Sequence, residues 1–313
     1  MTGGARRGLR LLVTVLVTVG ILVLLARDLG GGADFVAAAR RARPGWVGLS
    51  LAASTVCLLL TTVRWQLIVR GTGYTLGFWR ALEIVLATWP LAVVTPSRAN
   101  DLLRPLAVTD VVPLAAGAGG VVAEKAIDLF LLLVVASIGA AFAGLFAWAV
   151  AVAAVLVLEI VVVALVLRRR RWLERLPLLR RRPETVERLF EALSALARAP
   201  GTLAAIAAAS LGVRFFTVVI THTLLVAVGA DVPFLLTLTL WPAAMLVGVA
   251  PLTLGGMGTR DAAFLALLAQ HGTHVELPSV LVATVGYSAV ATWVFAVVGL
   301  PFMVREAAGA RRA

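Results

Sequence analysis

With 61% hydrophobic residues, 14% charged residues and a mean hydropathy of +1.01, this chain of 313 residues is too apolar for a soluble domain, which is about half apolar and a quarter charged. The formal charge of +12 does not indicate a nucleic-acid partner. The arginines lie at the ends of hydrophobic runs, where membrane topology and anionic lipid account for them. We therefore predict an all-α polytopic membrane protein, because a helix satisfies its own backbone hydrogen bonds in lipid. Uninterrupted apolar runs such as residues 131–136 argue against an alternating β-barrel.

The first predicted span is residues 11–26, preceded by arginines that place the N-terminus in the cytoplasm. Residues 27–43 are predicted to form a polar connection on the outside, although Arg40, Arg41 and Arg43 run against the positive-inside bias. Residues 46–69 return to the cytoplasmic side. No cleavage site follows the first apolar run, so we expect it to stay in the membrane as a span.

The next stretch is interrupted by proline. Residues 78–94 enter the membrane and are followed by Pro96. Residues 97–110 begin with a Ser cap and carry Arg98 and Arg104. This second part is too polar to cross while exposed to lipid, so we predict a re-entrant hairpin that opens to the cytoplasm. Residues 120–146 then cross outward and residues 148–167 cross back.

The largest soluble stretch is predicted at residues 168–200. Its first half holds eight arginines, and its second half places Val186, Phe190 and Ala197 among apolar residues at helical spacing. This pattern is typical of an amphipathic helix lying on the cytoplasmic leaflet. A solvated linker helix is the alternative.

The second half of the chain repeats the arrangement of the first. Residues 203–228 cross outward, residues 234–250 and 259–270 form a second broken hairpin, and residues 280–304 return to a cytoplasmic C-terminus. We thus expect six full transmembrane helices plus two broken re-entrant hairpins, with residues 46–146 and 203–304 as inverted repeats. Two complete crossings at each hairpin would preserve the same parity.

The loop of the second hairpin is the predicted working site. Pro251 removes a backbone donor, and Gly255, Gly256 and Gly258 supply conformational freedom. Thr259 is the predicted helix cap, and it is followed by Arg260 and Asp261 in the first turn. Irregular backbone at membrane depth is tolerated where protein or a water-filled cavity covers it, and such broken helices hold transporter substrates.

Several ionisable residues fall within predicted spans, where each charge is costly. Glu124 and Asp128 share a helix face with Lys125 beside them, and the alternative places all three among lipid headgroups at a helix end. Glu159 is predicted to be a buried acid that pairs with an arginine. Arg214 lies deep in its span and is predicted to bind substrate or form an ion pair.

The sequence contains none of the familiar enzyme or metal-site motifs. HExxH, GxSxG and Walker patterns are missing, Cys57 is the one cysteine, and the three histidines are scattered. We therefore expect no catalytic activity, no metal and no cofactor.

Three segments resemble the lysylphosphatidylglycerol synthase transmembrane, or flippase-like, family: residues 96–105 (PSRANDLLRP), 124–129 (EKAIDL) and 251–261 (PLTLGGMGTRD). Lys125 and Asp261 replace the family's usual arginine and glutamate with the charge preserved. Arg98, Ala99 and Asn100 replace glycines of the usual first loop. In that family the module moves an aminoacyl phospholipid or a lipid-linked saccharide between leaflets, sometimes fused to a soluble synthase. The resemblance therefore implies a free-standing lipid translocator.

The functional prediction is a lipid translocator in the cell membrane that moves an anionic phospholipid or a polyprenyl-phosphate-linked glycolipid. Helix N-termini and arginines suit a phosphate headgroup. A small-molecule secondary transporter, and a non-transporting scaffold for a lipid-modifying synthase or glycosyltransferase, are the alternatives. The predicted substrate-binding residues are Arg98, Arg104, Glu124, Asp128, Arg214, Gly255, Gly256, Gly258, Arg260 and Asp261.

Overall fold

The computed structural model describes residues 20, 32–95, 99–168, 183–250, 252–273 and 275–310, and within them all regular secondary structure is helical. This confirms the prediction of an all-α protein. The elements, in chain order, are α1 (Gly32–Arg40), α2 (Pro44–Gly71), α3 (Phe78–Val94), a 3₁₀ segment (Ala99–Val108), α4 (Leu114–Phe142), α5 (Phe146–Arg168), α6 (Pro183–Ala197), α7 (Pro200–Ala227), α8 (Phe234–Val249), α9 (Thr259–Gln270), α10 (Leu277–Ser288), a π turn (Ala289–Trp293) and α11 (Val294–Ala310).

Four helical stretches in the described residues are long and apolar enough to cross a membrane: Pro44–Gly71, Phe146–Val166, Pro200–Ala227 and Leu277–Ala308. These lengths exceed the roughly 20 residues that a bilayer core requires. The chain is therefore a multi-pass membrane protein. The predicted first span at residues 11–26 lies outside the described residues, and the arrangement of six spans and two hairpins stays a prediction.

The two halves pack in a reciprocal pattern. Helix α2 packs along α7, α3 packs against α11, and α8 packs against α4. At two of these crossings a glycine lets backbones touch: a Cβ on Gly139 would lie 2.4 Å from the Thr239 carbonyl oxygen, and one on Gly299 would lie 2.2 Å from the Leu86 carbonyl oxygen. Small residues at such crossings are what allow membrane helices to approach closely. Corresponding helices of the two halves thus exchange partners, and the inverted orientation of the repeats stays a prediction.

The α2–α7 contact is built from small polar side chains on facing stripes. The spacings of four and three residues keep each stripe on one helix face. The buried or half-buried members are Ser50, Ser54, Cys57 and Thr61 on α2 and Ser210, Thr217 and Thr221 on α7. Most of these hydroxyls donate to a carbonyl of the preceding turn of their own helix, which allows them to sit in an apolar interior.

Two local predictions differ from the structure. The connection at residues 27–43 contains a helix, α1, which packs against α10. The amphipathic helix forms as α6, but its apolar face lies against α4 and α7 rather than against lipid: Phe190 is 7% exposed and Leu196 is 2% exposed. Gly119 of α4 provides the close approach, since a Cβ there would lie 3.1 Å from the Leu189 carbonyl oxygen. The arginine-rich residues 169–182 lie outside the described residues.

Candidate functional site

A cavity of about 260 Å³ lies where the two halves of the chain meet. Residues 252–258, between α8 and α9, form one part of its wall and are called the glycine loop below. The other parts of the wall come from α2, α3, the 3₁₀ segment, α4, α7, α8, α9 and the π turn. Its charged lining residues are Arg64, Arg104, Lys125, Arg214, Arg260, Asp101 and Asp128. An isolated charged side chain inside a membrane protein is costly. This cluster of charged side chains therefore indicates that they pair with one another, that they bind a polar solute, or both.

Arg64 of α2 is the centre of this ionic cluster. Its Nη2 donates to Glu124, and its Nη1 donates to Asp128 at 2.6 Å and to the Ser210 hydroxyl at 3.1 Å. The arginine side chain is 5% exposed and Glu124 is fully buried. One guanidinium thus joins α2 to α4 and α7, and its planar fork suits two carboxylates at once.

Arg104 of the 3₁₀ segment forms the second bridge. It donates to both oxygens of Glu124, at 3.1 and 3.2 Å, and to Asp101 at 2.6 Å. Lys125 pairs with the other Asp101 oxygen. The Arg104 guanidinium also lies 5.9 Å from the Trp65 ring centroid, a distance at which a cation is attracted to an aromatic face. These contacts fasten the short polar segment to α4.

The cations differ in their access to the cavity. The Arg64 and Arg104 side chains are 5% and 2% exposed, whereas Arg214 is 18% and Lys125 is 38% exposed. Arg214 pairs with Asp128 at the longer distance of 3.7 Å. Lys125 and Arg214 are therefore the cationic groups that a solute in the cavity reaches with the least rearrangement.

The glycine loop turns sharply beside the cavity. Gly255, Gly256 and Gly258 have φ values of 57°, 78° and 85°, which disfavour side chains with a Cβ. A Cβ on Gly256 would also lie 2.8 Å from the Gly248 carbonyl oxygen. Helix α9 is capped by Gly258 rather than by the predicted Thr259: the Gly258 N–H donates to the Asp261 carboxylate at 2.9 Å. Thr259 fails as the cap because the left-handed turn occupies the position that precedes it.

Arg260 is held from several directions. It donates to Asp261 at 2.7 and 3.0 Å, to the Thr284 carbonyl at 3.0 Å and to the Ser288 hydroxyl at 3.0 Å. Its guanidinium carbon lies 5.2 Å from the Trp241 ring centroid and 4.8 Å from that of Tyr287. Nε and Nη2 are the donors in these bonds, and Nη1 makes no hydrogen bond within the described residues. Arg260 lines the cavity although it is 3% exposed, so it joins the loop to α10 and also adds positive charge to the wall.

The structure brings most of the predicted site residues together. Arg104, Asp128, Arg214, Gly255 and Arg260 line the cavity. The remaining described members, Glu124, Gly256, Gly258 and Asp261, support them from behind, and Arg98 lies outside the described residues.

Sequence reasoning missed Arg64 and underrated Asp101 and Lys125. Arg64 follows an apolar run, a position that favours a topology marker, whereas it is buried and pairs with α4. The signal was present, because Arg64 continues the polar stripe of α2 three residues after Thr61. The headgroup alternative for Glu124 and Asp128 is wrong, since both are at most 9% exposed. Glu159 is half-buried on α5, and it forms no ion pair with an arginine in the described part of the chain.

Formal charge in the cluster is close to balanced. Among described residues, five cations face the four carboxylates of Asp101, Glu124, Asp128 and Asp261, which leaves one net positive charge. No group of three or more His, Cys, Asp or Glu residues arranged to hold a metal occurs in the part of the chain that is described.

Comparison with known protein families places the chain. The family model described as the lysylphosphatidylglycerol synthase TM region matches residues 11–299, and no curated protein matches the chain. The matched range includes the ionic cluster, the cavity and the glycine loop. Because the match covers most of the 313 residues, the resemblance noted in the three motifs is confirmed. The chain belongs to the family of lysylphosphatidylglycerol synthase transmembrane regions.

Proposed function

We propose that this protein translocates a lipid between membrane leaflets by holding its anionic headgroup in the central cavity while the acyl chains stay in the bilayer. The observation that carries the proposal is the position of five cationic side chains around a cavity of about 260 Å³ at the meeting point of apolar helices. Ligand pockets for whole drug-sized molecules are about 300–1,000 Å³. A headgroup fits this volume, whereas a complete phospholipid does not.

Lys125 and Arg214 are proposed to contact the headgroup. They are the most exposed cations of the cluster, at 38% and 18% of the side chain. Arg64 and Arg104 are proposed to hold the acidic residues, because their donors already bond carboxylates. Glu124 is proposed to hold Arg64 and Arg104 in place, since it accepts hydrogen bonds from both. Arg260 is proposed to add positive charge to the cavity wall while it fixes the glycine loop.

No chemical step is proposed. The charges of the cluster neutralise one another. A headgroup phosphate is proposed to replace a carboxylate as the ion-pair partner of a cation, and no covalent bond is formed or broken. Transport by this route requires that the hairpin segments expose the cavity to each leaflet in turn, which is the usual behaviour of transporters with broken helices. We also propose a cell-membrane location with both termini in the cytoplasm, on the basis of the arginines that flank the first and last spans.

The test is lipid translocation in liposomes that contain the purified protein and a fluorescent phosphatidylglycerol. We expect Lys125→Gln and Arg214→Gln each to slow translocation about ten- to a hundredfold, since a charge-assisted bond contributes about 1.5–3 kcal/mol. Arg188→Gln on the exposed face of α6 is the matched control and should leave the rate unchanged. Translocation at the normal rate by the Lys125→Gln, Arg214→Gln double variant would reject the proposal.

A secondary transporter of small soluble anions is the second candidate, because the cavity volume alone also suits such a solute. The two functions separate in the same liposomes. Uptake of a radiolabelled soluble phosphate ester without lipid movement supports the second candidate. Lipid movement without uptake of the ester supports the first. A scaffold for a synthase or glycosyltransferase predicts neither activity.

A further inference from the structure

A second, smaller cavity of about 20 Å³ lies beside the main one, between α2, α7 and the junction of α10 with the π turn. It shares Thr61, Trp89 and Val213 with the main cavity. A site needs about 10–15 Å³ of such volume to hold a water molecule. Four hydroxyl-bearing side chains line it, from all three helices: Ser54, Thr61, Thr217 and Tyr287.

Two of these hydroxyls have their hydrogens committed. Thr61 donates to the Cys57 carbonyl at 2.8 Å, and Thr217 donates to the Arg214 carbonyl at 2.6 Å. Their oxygen lone pairs are still able to accept. A guest in the small cavity thus meets two acceptors that cannot donate to it.

The other two hydroxyls are buried without a partner in the described residues. Ser54 and Tyr287 are each 1% exposed, and neither hydroxyl oxygen has a hydrogen-bond partner there. An unpaired buried hydroxyl is destabilising, because it has lost its hydrogen bonds to water and gained none. These two groups supply the donors that the threonine hydroxyls lack.

Two donors and two acceptors match one water molecule, which offers two lone pairs and two hydrogens. A sodium ion fits less well: no carboxylate lines the small cavity, and the Arg260 guanidinium lies 4.8 Å from the Tyr287 ring. An inorganic anion needs more than two donors. We propose that the small cavity is a binding site for a single water molecule that bridges Ser54 of α2 and Tyr287 of α10 to the threonine hydroxyls.

This bridge has a structural consequence for the main cavity. Tyr287 is one of the two rings against the Arg260 guanidinium, so water held by its hydroxyl connects α2 to the support of that arginine. The inference does not depend on which solute the main cavity carries.

The experiment compares thermal unfolding of the full-length protein in detergent for Ser54→Ala, Tyr287→Phe and the double variant. Each change removes a hydroxyl and little volume. If water bridges the pair, each single variant lowers Tm by about 2–4 °C, and the double variant loses little more than one single variant, because one bridge is lost in every case. Tyr74→Phe, at the chain's other tyrosine, is the matched control and should leave Tm unchanged.

Two results overturn the proposal. An unchanged or higher Tm in the single variants means that the hydroxyls are unsatisfied in a dry space, since deletion of an unsatisfied polar group relieves its cost. Fully additive losses mean that Ser54 and Tyr287 do not share a guest.

Discussion

The buried pair of Arg64 and Glu124 gives the sharpest prediction about how the cavity is held together. Arg64→Met removes the cation that neutralises Glu124 and Asp128, and Glu124→Met removes the carboxylate shared by Arg64 and Arg104. Breaking one partner of a buried pair costs about 3–5 kcal/mol, because a charge is left without compensation. Each single variant should therefore be destabilised by about that amount.

The double variant removes one charge of each sign and leaves the net charge of the cluster unchanged. Arg104 keeps Asp101 at 2.6 Å, and Asp128 keeps Arg214 at 3.7 Å. An isolated buried ion pair can be replaced by apolar residues at little cost. Here Arg104 loses Glu124 and Asp128 loses Arg64, so the double variant should be about as destabilised as one single variant. The coupling energy then has the size of the other single-variant cost, about 3–5 kcal/mol, which is at or above the upper end of the usual range of about 0.5–3 kcal/mol.

The assay is equilibrium unfolding in mixed micelles, analysed as a double-mutant cycle. Arg41 and Glu276 form the control pair. Their charged groups lie 3.7 Å apart and both side chains are well exposed, and such surface pairs contribute about 0–1 kcal/mol. Additive losses for Arg64→Met and Glu124→Met would refute the reasoning, because they would mean that the two side chains do not neutralise each other.

Three further changes test other parts of the structure. Gly139→Val should prevent assembly of the helix bundle, because its Cβ meets backbone of α8, whereas Gly45→Ala, which meets nothing within 4 Å, should fold normally; the yield of monodisperse protein decides. Arg260→Lys should lose about 1.5–3 kcal/mol of stability along with translocation, because an ammonium group cannot reproduce the fork that bonds Asp261 and α10, and full stability in a thermal unfolding assay would contradict this. Phe190→Asp should release α6 and expose residues 183–197 to protease, and unchanged cleavage would show that the helix is not held by its apolar face.

The outcome at α6 shows where periodicity stops being informative. The spacing of Phe190 and its neighbours predicted an amphipathic helix, and the helix is present as Pro183–Ala197. An apolar face is equally suited to lipid and to protein. Gly119 favours the contact with protein, because it has no side chain and so leaves room on α4 for the backbone of α6. No sequence pattern near residue 190 predicts that contact.

The sequence by itself determined the class of protein, the family, and the approximate bounds of most of the described helices, with α1 as an exception. These follow from local quantities: apolar runs long enough for lipid, prolines and glycines that interrupt them, and motifs of contiguous residues. It also identified four of the seven charged residues that line the cavity, Arg104, Asp128, Arg214 and Arg260, because a charge within an apolar run needs a reason wherever it lies. The tertiary structure alone decided which charges pair. Arg64 and Glu124 are 60 positions apart, and Arg64 and Ser210 are 146 apart, so their contact depends on how three helices pack rather than on any local pattern.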